Sequence, residues 1–528
     1  MRAAITEHAV VIAGAGPTGL MLALRLTRMD VPVRIVDAAA EPGTTSRALV
    51  VHARTLEFYR QMGLADAFLE EGVRFEAVNL WIGGRRVRRV AFEGLGKGMS
   101  AFPFMMVVTQ DRHERFLIEH LGRAGVQVER KVELVGFEQT PGEVRARLRR
   151  PDGSEETCAV PYLAGCDGAR SKVREVLDTG FPGGTYAQFF YVADVDGSGP
   201  VMNNELHVAL DDADFLGIFP LRGGRTARLI GTVEAEDESV RKELRFEDVG
   251  GHVAARMGIE VERVNWFSTY RVHHRVARRF RQGRVFLLGD AAHIHSPVGG
   301  QGMNTGLGDA VNLAWKLAEV VQRRAEPVLL DSYEPERMAF AQRLVGTTDR
   351  AFVIATSPGR VARFVRMNVL PRVLPVLVHF EATRRFMFRA VSQIAIHYRQ
   401  SPMSAGALGP VHGGDRLPWV PLEGGPASDN FAAIDGRQWQ LHVYGAAHPG
   451  LAEACQRLSL PLHVFSWRPA MSRAGLTEDG LYLVRPDGYV ALADPGTDPA
   501  GLVQRVERVM ARRAAPIEAS GPEVAAVR

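Results

Sequence analysis

Three glycines near the N-terminus restrict the fold of this chain more than any other feature. Gly14-Ala-Gly16-Pro17-Thr18-Gly19 follows the continuous apolar run Ala9-Val-Val-Ile-Ala13 and leads into Leu20-Met-Leu-Ala-Leu-Arg-Leu-Thr-Arg28, which reads as a helix. Val31-Pro-Val-Arg-Ile-Val-Asp37 then supplies a second strand. An apolar run of that length bounded by glycine suits a buried parallel strand. The first glycine permits a tight turn, the second lets backbone approach a pyrophosphate, and the third lets helix and strand pack closely. A phosphate held there meets the positive end of the helix. Asp37 closes the second strand, where a carboxylate accepts hydrogen bonds from a ribose diol and repels a 2′-phosphate. The site therefore suits FAD or NAD rather than NADP, and the chain opens as α/β.

Strand and helix signals alternate to about residue 175, and the texture then changes. Phe189-Phe-Tyr-Val-Ala193, Glu205-Leu-His-Val-Ala-Leu210 and Thr226-Ala-Arg-Leu-Ile-Gly-Thr-Val233 are short strands between Gly, Asp and Pro turns, as in an inserted, mostly antiparallel sheet. The α/β texture returns at Gly283-Arg-Val-Phe-Leu-Leu-Gly-Asp290, followed by a long helix over about 306–324. Residues 350–400 are helical in pattern and rich in arginine. They read as a packing helix pair rather than a basic amphipathic membrane helix. Residues 401–420 read as a Pro/Gly-punctuated linker, and beyond it strands, a hairpin and a terminal helix over about 499–513 form a small α/β domain. The division is 1–180 with 281–400 as a discontinuous nucleotide-binding domain, 181–280 as a substrate-binding β domain, and 401–528 as a C-terminal domain.

The second informative stretch runs from Asp290 through His293-Ile-His295-Ser-Pro297-Val-Gly299-Gly300-Gln-Gly302-Met303-Asn304 into the long helix. Its strand delivers Asp290 to bind ribityl or ribose hydroxyls. The glycine-dense loop offers backbone amides to an anionic or electron-rich group, and Gly299, Gly300 and Gly302 leave room for a flat ring. His293 and His295 stand two apart without a further cluster, so no metal is expected.

These motifs resemble the single-component FAD-dependent aromatic hydroxylases, the class A flavoprotein monooxygenases related to para-hydroxybenzoate and phenol hydroxylases. The resemblance rests on Gly14-Ala-Gly-Pro-Thr-Gly19, Cys166-Asp-Gly-Ala-Arg-Ser-Lys-Val-Arg174 and Gly289-Asp290 with its Pro297-to-Asn304 loop, and it covers essentially the whole chain. Thr45-Ser-Arg-Ala48 with Ala53-Arg-Thr-Leu-Glu57 is similar to the polyketide-tailoring and rifampicin-type hydroxylases. Gly414-Asp-Arg-Leu-Pro418 through Val484-Arg-Pro-Asp-Gly-Tyr489 resembles their thioredoxin-like C-terminal domain.

The resemblance implies a Rossmann-like FAD domain, an inserted β domain and a thioredoxin-like end without redox cysteines. By it Asp37 binds the adenosine ribose, Arg47 the pyrophosphate, Gln110 the ribityl chain, and Leu134 the adenine through backbone. Asp167 supports both FAD and nicotinamide engagement, and Asp290 holds the sugar-alcohol chain. Met303 and Asn304 offer backbone to the pyrimidine edge of the flavin, and Pro297 lies near its reactive carbon. The implied reaction uses NADPH or NADH and O₂ to hydroxylate a phenolic or polycyclic aromatic substrate through a C4a-hydroperoxyflavin. Baeyer–Villiger insertion by the same fold and a non-oxygenating FAD-binding redox protein are the alternatives. In the β domain Tyr191, His207, Phe215 and Phe219 are candidate substrate contacts, with Phe190 and Tyr270 beside them; no catalytic base is assigned.

Composition narrows the partners. The 528 residues carry 59 arginines but only five lysines, and the net charge of +4 leaves no dominant field for nucleic acid. Three scattered cysteines make neither a disulfide framework nor a Cys-rich metal site. No apolar run reaches the length of a membrane span, and no basic, apolar leader precedes the first strand. The expectation is a cytoplasmic monomer or homodimer with no membrane or nucleic-acid partner.

Overall fold

The computed structural model describes residues 8–43, 48–91, 95–210, 215–233, 244–249, 257–296, 298–356, 379–424 and 428–496, with isolated residues between 359 and 376 and between 501 and 509. β1 (Val10–Ala13) lies at the centre of a six-stranded sheet. On one side it pairs in parallel with Tyr162–Gly165, and on the other with β2 (Val33–Asp37). Val285–Leu287 and Val128–Arg130 extend the sheet in parallel, and Arg281–Gln282 adds an antiparallel edge. Every residue of β1 and of Tyr162–Gly165 is buried, the mark of strands covered on both faces. α1 (Pro17–Arg28) begins three residues before the expected Leu20, because a proline with its preset φ suits the first helical position.

The long helix starts earlier as well. It spans Gln301–Val321 rather than 306–324, so Gly302, Gly306 and Gly308 are helical residues and not part of the turn. Close approach explains the last two. A Cβ on Gly306 would fall 2.3 Å from Thr18 Oγ1, and one on Gly308 would fall 3.0 Å from Arg337 Nη2.

A second sheet has eight strands, in the spatial order His293–Ile294, Glu260–Val276, Gly183–Ser198, Thr226–Val233, Phe215–Pro220, Leu206–Leu210, Ala77–Ile82 and Arg85–Ala91. It is not confined to residues 181–280. The hairpin Ala77–Ile82/Arg85–Ala91 joins it through a parallel pairing with Leu206–Leu210. The outer strand carries four arginines, which suits an edge that must not pair further. Alternation divides the sheet's two faces. Phe190, Val192, Tyr270 and Val272 face the main core, whereas Tyr191, Ala193, Leu216 and Ile218 face a separate apolar cluster with Phe246 and Val249.

The C-terminal sheet runs Leu462–Phe465, Gln440–Tyr444, Gly480–Val484, Val490–Asp494, parallel in its first pair and antiparallel in the rest. The segment 401–420, expected to be a linker, folds onto this sheet. Ala405 N donates to Ala491 O at 2.8 Å, Gly414 N to Val490 O at 2.6 Å and Leu417 N to Gly488 O at 3.1 Å. Its glycines mark backbone contact rather than flexibility: a Cβ on Gly413 would meet Ala405 N at 2.4 Å. The expected terminal helix lies mostly outside the described residues; its described positions, including 501–502 and 504–506, are helical.

Buried charge joins this C-terminal region to the rest. Glu336 accepts from Lys316 Nζ at 2.8 Å, Asn312 Nδ2 at 2.6 Å, Ser401 Oγ at 2.6 Å, and Arg485 Nη1 and Nη2 at 2.8 and 3.0 Å. Arg485 also bonds Asp487, whose other contacts are Trp315 Nε1 at 3.1 Å and, through its carbonyl, Arg54 Nη2 at 2.6 Å. Burial alone would raise the Glu336 carboxyl, but Arg485 and Lys316 outweigh it and hold it well below the usual carboxylate range. Removing Arg485 takes the paired cation from buried Asp487 and leaves Glu336 with Lys316 alone. Arg485→Met is therefore expected to lower unfolding free energy by about 3–5 kcal/mol, read from denaturant unfolding. A loss under about 1 kcal/mol would show that the network contributes little.

Candidate functional site

Two glycine turns meet at the carboxyl ends of the parallel strands. In the first, Gly14 has φ +100° and a Cβ there would lie 2.3 Å from Cys166 O, while a Cβ on Gly19 would lie 2.0 Å from Gly14 O. Opposite Gly16 nothing stands within 4 Å, so the outer side of the turn is open to a ligand. α1 begins at Gly16 with no side chain capping it, which leaves first-turn amides available to an anion. Thr18 turns the other way, into a notch between Gly289 and Gly306. Asp37 Oδ2 accepts from Ala15 N at 2.6 Å and Oδ1 from Ala39 N at 2.8 Å, with Arg130 Nη1 3.7 Å away. Its carboxylate thus sits against the same turn.

Around Asp37, Val132 N donates to Asp37 O at 3.1 Å and Lys131 N to Ala39 O at 3.2 Å. The side chain of Leu134 is buried in the core, paired across the sheet with Leu148. Gln110 opens the helix Gln110–Arg123 and donates to Glu114 at 2.8 Å; Glu114 in turn accepts from Gly43 N at 3.2 Å. Burial raises the Glu114 carboxyl. Asp167 accepts from Ser171 Oγ and, at 3.0 Å, from Val173 N, so it caps the short helix Lys172–Leu177 from inside. Arg47 and Pro297 lie outside the described residues.

The second turn leaves Val285–Leu287 at Gly289 and presents Asp290 on the surface. Behind it is Asp309, fully buried on the long helix and not singled out from the sequence. Asp309 Oδ2 accepts from Gly289 N at 3.0 Å and His293 Nε2 at 2.8 Å, and Oδ1 accepts from Arg337 Nε at 2.6 Å. A polar side chain in the middle of an apolar helix was its only sequence signal. The chain then turns through Gly299 and Gly300, at φ +77° and +62°, into the long helix, whose start carries no side-chain cap.

Asn304 locks this loop from one side. Its Nδ2 donates to Val50 O and Gly300 O at 2.8 and 2.9 Å, and its Oδ1 accepts from His52 N and Thr55 Oγ1 at 3.0 and 2.8 Å. His52 Nε2 adds a bond to Gly300 O at 3.1 Å. From the other side Gln301 donates to Val391 O at 2.9 Å and accepts from Gln393 Nε2 at 2.7 Å. With the Asn304 side chain fully used, the backbone of Gly302, Met303 and Asn304 is what the first turn of the long helix has to offer.

The large sheet presents aromatic rings toward the main core. Phe190 and Tyr270 stack with centroids 5.7 Å apart, and Phe215 and Phe219 pack on the same side. Tyr191 and His207 are on the opposite face. His207 Nδ1 accepts from Trp81 Nε1 at 3.1 Å, so its Nε2 carries the proton donated to Asn203 Oδ1 at 3.0 Å. Burial pushes His207 down to about 4, and does the same to His52 and His295.

The chain as a whole is similar to known proteins. The FAD-binding domain family matches residues 7–348, and the C-terminal domain family of aromatic-ring hydroxylases matches residues 411–512. The chain is 36% identical over 534 residues to 6-methylpretetramide 4-monooxygenase of Streptomyces rimosus, covering 94% of this chain and 93% of that one. It is 31% identical to pentachlorophenol 4-monooxygenase of Sphingobium chlorophenolicum, covering 85% and 82%. The solved structure of OxyS anhydrotetracycline hydroxylase from Streptomyces rimosus superposes with a TM-score of 0.74 at 29% identity, covering 95% of this chain and 98% of that one.

Two outcomes follow from the clamp and its histidines. Asn304→Ala removes four hydrogen bonds, with only Gly300 O keeping its bond from His52, and is expected to cost about 1–3 kcal/mol of stability, measured by thermal unfolding; an unchanged midpoint would remove the clamp. The depressed histidines give a pH dependence. Between their ordinary value and about 4 the unfolded chain binds more protons, so stability is full above about pH 6.5 and falls with acid. The slope for the fully buried His52 is on the order of 1.4 kcal/mol per pH unit. His52→Asn is expected to flatten the decline between pH 6.5 and 4.5, and an identical decline in both proteins would contradict it.

Proposed function

We propose, from the membership of this chain in the family of FAD-dependent aromatic-ring monooxygenases, that it hydroxylates a polycyclic phenol of polyketide type with NADPH or NADH and O₂. One observation carries the site assignment: Thr18 fits a notch made by Gly289 and Gly306, which puts the two glycine turns back to back, within the span of one extended dinucleotide. The residues fit FAD. Gly16 has open space, both helix starts lack side-chain caps, and Asp37 lies beside the first turn. Bound FAD supplies the transfer of electrons from pyridine nucleotide to oxygen.

The remaining roles belong to the protein. Gly14, Gly16, Pro17, Thr18 and Gly19 shape the pyrophosphate turn, with Arg47 as its cation. Asp37 holds the adenosine ribose and the backbone near Leu134 flanks the adenine. Gln110 and Asp290 bind the ribityl chain, and Asp167 steadies the neighbouring turn. Gly299 and Gly302 would leave room for the flavin ring, Met303 and Asn304 would offer it backbone groups, and Pro297 would stand near its reactive carbon. Phe215 and Phe219, with Phe190 and Tyr270, form the apolar wall that excludes water and orients the substrate ring. Tyr191 and His207, expected as substrate contacts with them, stand on the opposite face of the sheet and are not part of that wall.

In this reading a Rossmann-like FAD domain of residues 1–180 and 281–400 surrounds a substrate domain of 181–280, to which the hairpin 77–91 is added. The C-terminal region is thioredoxin-like and structural. Burial pushes its one thiol, Cys455, up to about 11, which suits no redox exchange. The enzyme works in the cytoplasm; among the described residues no helix is long and apolar enough to cross a membrane.

The test is turnover under ¹⁸O₂ with a panel of phenols and aromatic polyketides. Substrate-stimulated NAD(P)H oxidation and one labelled oxygen in the product are expected, and label in no product overturns the proposal. Asp290→Ala, at a surface position, is expected to lose most of the bound flavin while keeping its fold. Full flavin occupancy in that variant would remove Asp290 from the site.

A further inference from the structure

The expected packing helix pair at 350–400 falls partly outside the described residues; the helices Tyr333–Thr356 and Glu381–Val391 stand at its two ends. Nine large hydrophobic side chains are exposed among the described residues, and seven of them lie between Phe364 and Met387. Phe386 is 73% exposed, Phe364 and Val376 60%, and Phe380 57%. So dense an apolar surface on a water-soluble chain marks an interaction site. Its charge is equally one-sided: residues 359–391 contain seven arginines and one acid, Glu381. Arg372 and Arg389 are exposed, and the side chain of Arg385 is 41% exposed.

We propose that this surface docks the protein reversibly on anionic lipid. Aromatic and branched side chains enter the boundary between headgroup and acyl chain while arginines meet lipid phosphates. Charge decides against a second copy of the chain, since a two-fold contact would set this arginine-rich face against itself. The patch is also anchored where a docked state bears on the site. Phe388, on the helix Glu381–Val391, is buried, and its ring would lie 2.5 Å from a Cβ on Gly96. Val391 O accepts from Gln301 at the start of the long helix, and Met367 lies 3.5 Å from a Cβ on Gly83, in the hairpin of the large sheet. The surface thus spans from the glycine loop to the substrate sheet. On the proposed function, it offers an apolar polycyclic substrate a path between lipid and pocket.

The test is flotation of the flavin-loaded protein with phosphatidylcholine vesicles, with and without phosphatidylglycerol. Retention is expected on the anionic vesicles, weakening with salt. The double variant Arg384→Glu/Arg385→Glu is expected to reduce it by on the order of a hundredfold, and Phe380→Ser/Phe386→Ser to abolish it, each with flavin content and circular dichroism unchanged. Absence of retention on the anionic vesicles, or equal retention on both, overturns the proposal. So does a concentration-dependent dimer in light scattering that Phe386→Ser dissolves, which would make the patch a contact between copies. Because retention is read without turnover, a protein that hydroxylates yet ignores vesicles refutes the docking alone. One that docks but incorporates no oxygen refutes the activity alone.

Discussion

Two adjacent residues, Glu336 and Arg337, hold the site and the C-terminal region in one structure. They stand on the helix Tyr333–Thr356 and reach opposite ways. Arg337 bonds Asp309, the carboxylate that receives Gly289 N and His293 and so sets the second glycine turn. It also donates to Thr305 O at 3.0 Å and Tyr398 OH at 2.8 Å. Glu336 receives Arg485 from the C-terminal hairpin and Lys316 from the long helix. Burying such groups is costly unless every charge is matched, and here each is matched by a residue from a different part of the chain. The arrangement therefore tolerates one relative placement of the parts. That makes the C-terminal region a brace for the site, which accords with its lack of a cysteine pair.

The glycines express the same constraint in steric form. The turn that would carry pyrophosphate and the turn that would carry the flavin ring touch through Thr18, and neither Gly289 nor Gly306 tolerates a Cβ there. Backbone proximity is what would allow one cofactor to meet amides at both its pyrophosphate and its ring. The clamp formed by Asn304, His52 and Thr55 then keeps the second turn from relaxing once Gly299 and Gly300 have given it left-handed backbone.

What could be read from the sequence was whatever is local. The β1–α1–β2 unit with Asp37 was legible because turn, helix and strand follow within a few tens of residues. The partners of Asn304 were not: His52 is 252 positions away, and nothing in either segment names the other. The hairpin 77–91 escaped for the same reason, since a strand pattern does not say which sheet it joins. The faces of Phe190 and Tyr191 were illegible for a different cause. Side chains alternate, so a slip of one residue exchanges the faces. The strand Gly183–Ser198 contains three irregularities against Glu260–Val276, including one just before Phe189. Counting along it therefore cannot decide which ring meets the site.

The arginine excess also changes meaning. As composition it says only that no dominant field awaits nucleic acid, yet Arg25, Arg54, Arg337 and Arg485 are among the largest fully buried side chains. A guanidinium suits this use better than an ammonium because it binds carboxylates with two parallel N–H groups and stacks on rings. Arg485 does both, holding Glu336 while lying 5.1 Å from the centroid of Trp315 and 5.3 Å from that of Tyr398. Lys316, the one buried lysine in the network, is pushed down by burial to about 8 even with Glu336 opposing the shift. An arginine stays charged where a lysine is already close to losing its proton. A network whose cohesion depends on permanent charge is for that reason built mainly from arginine.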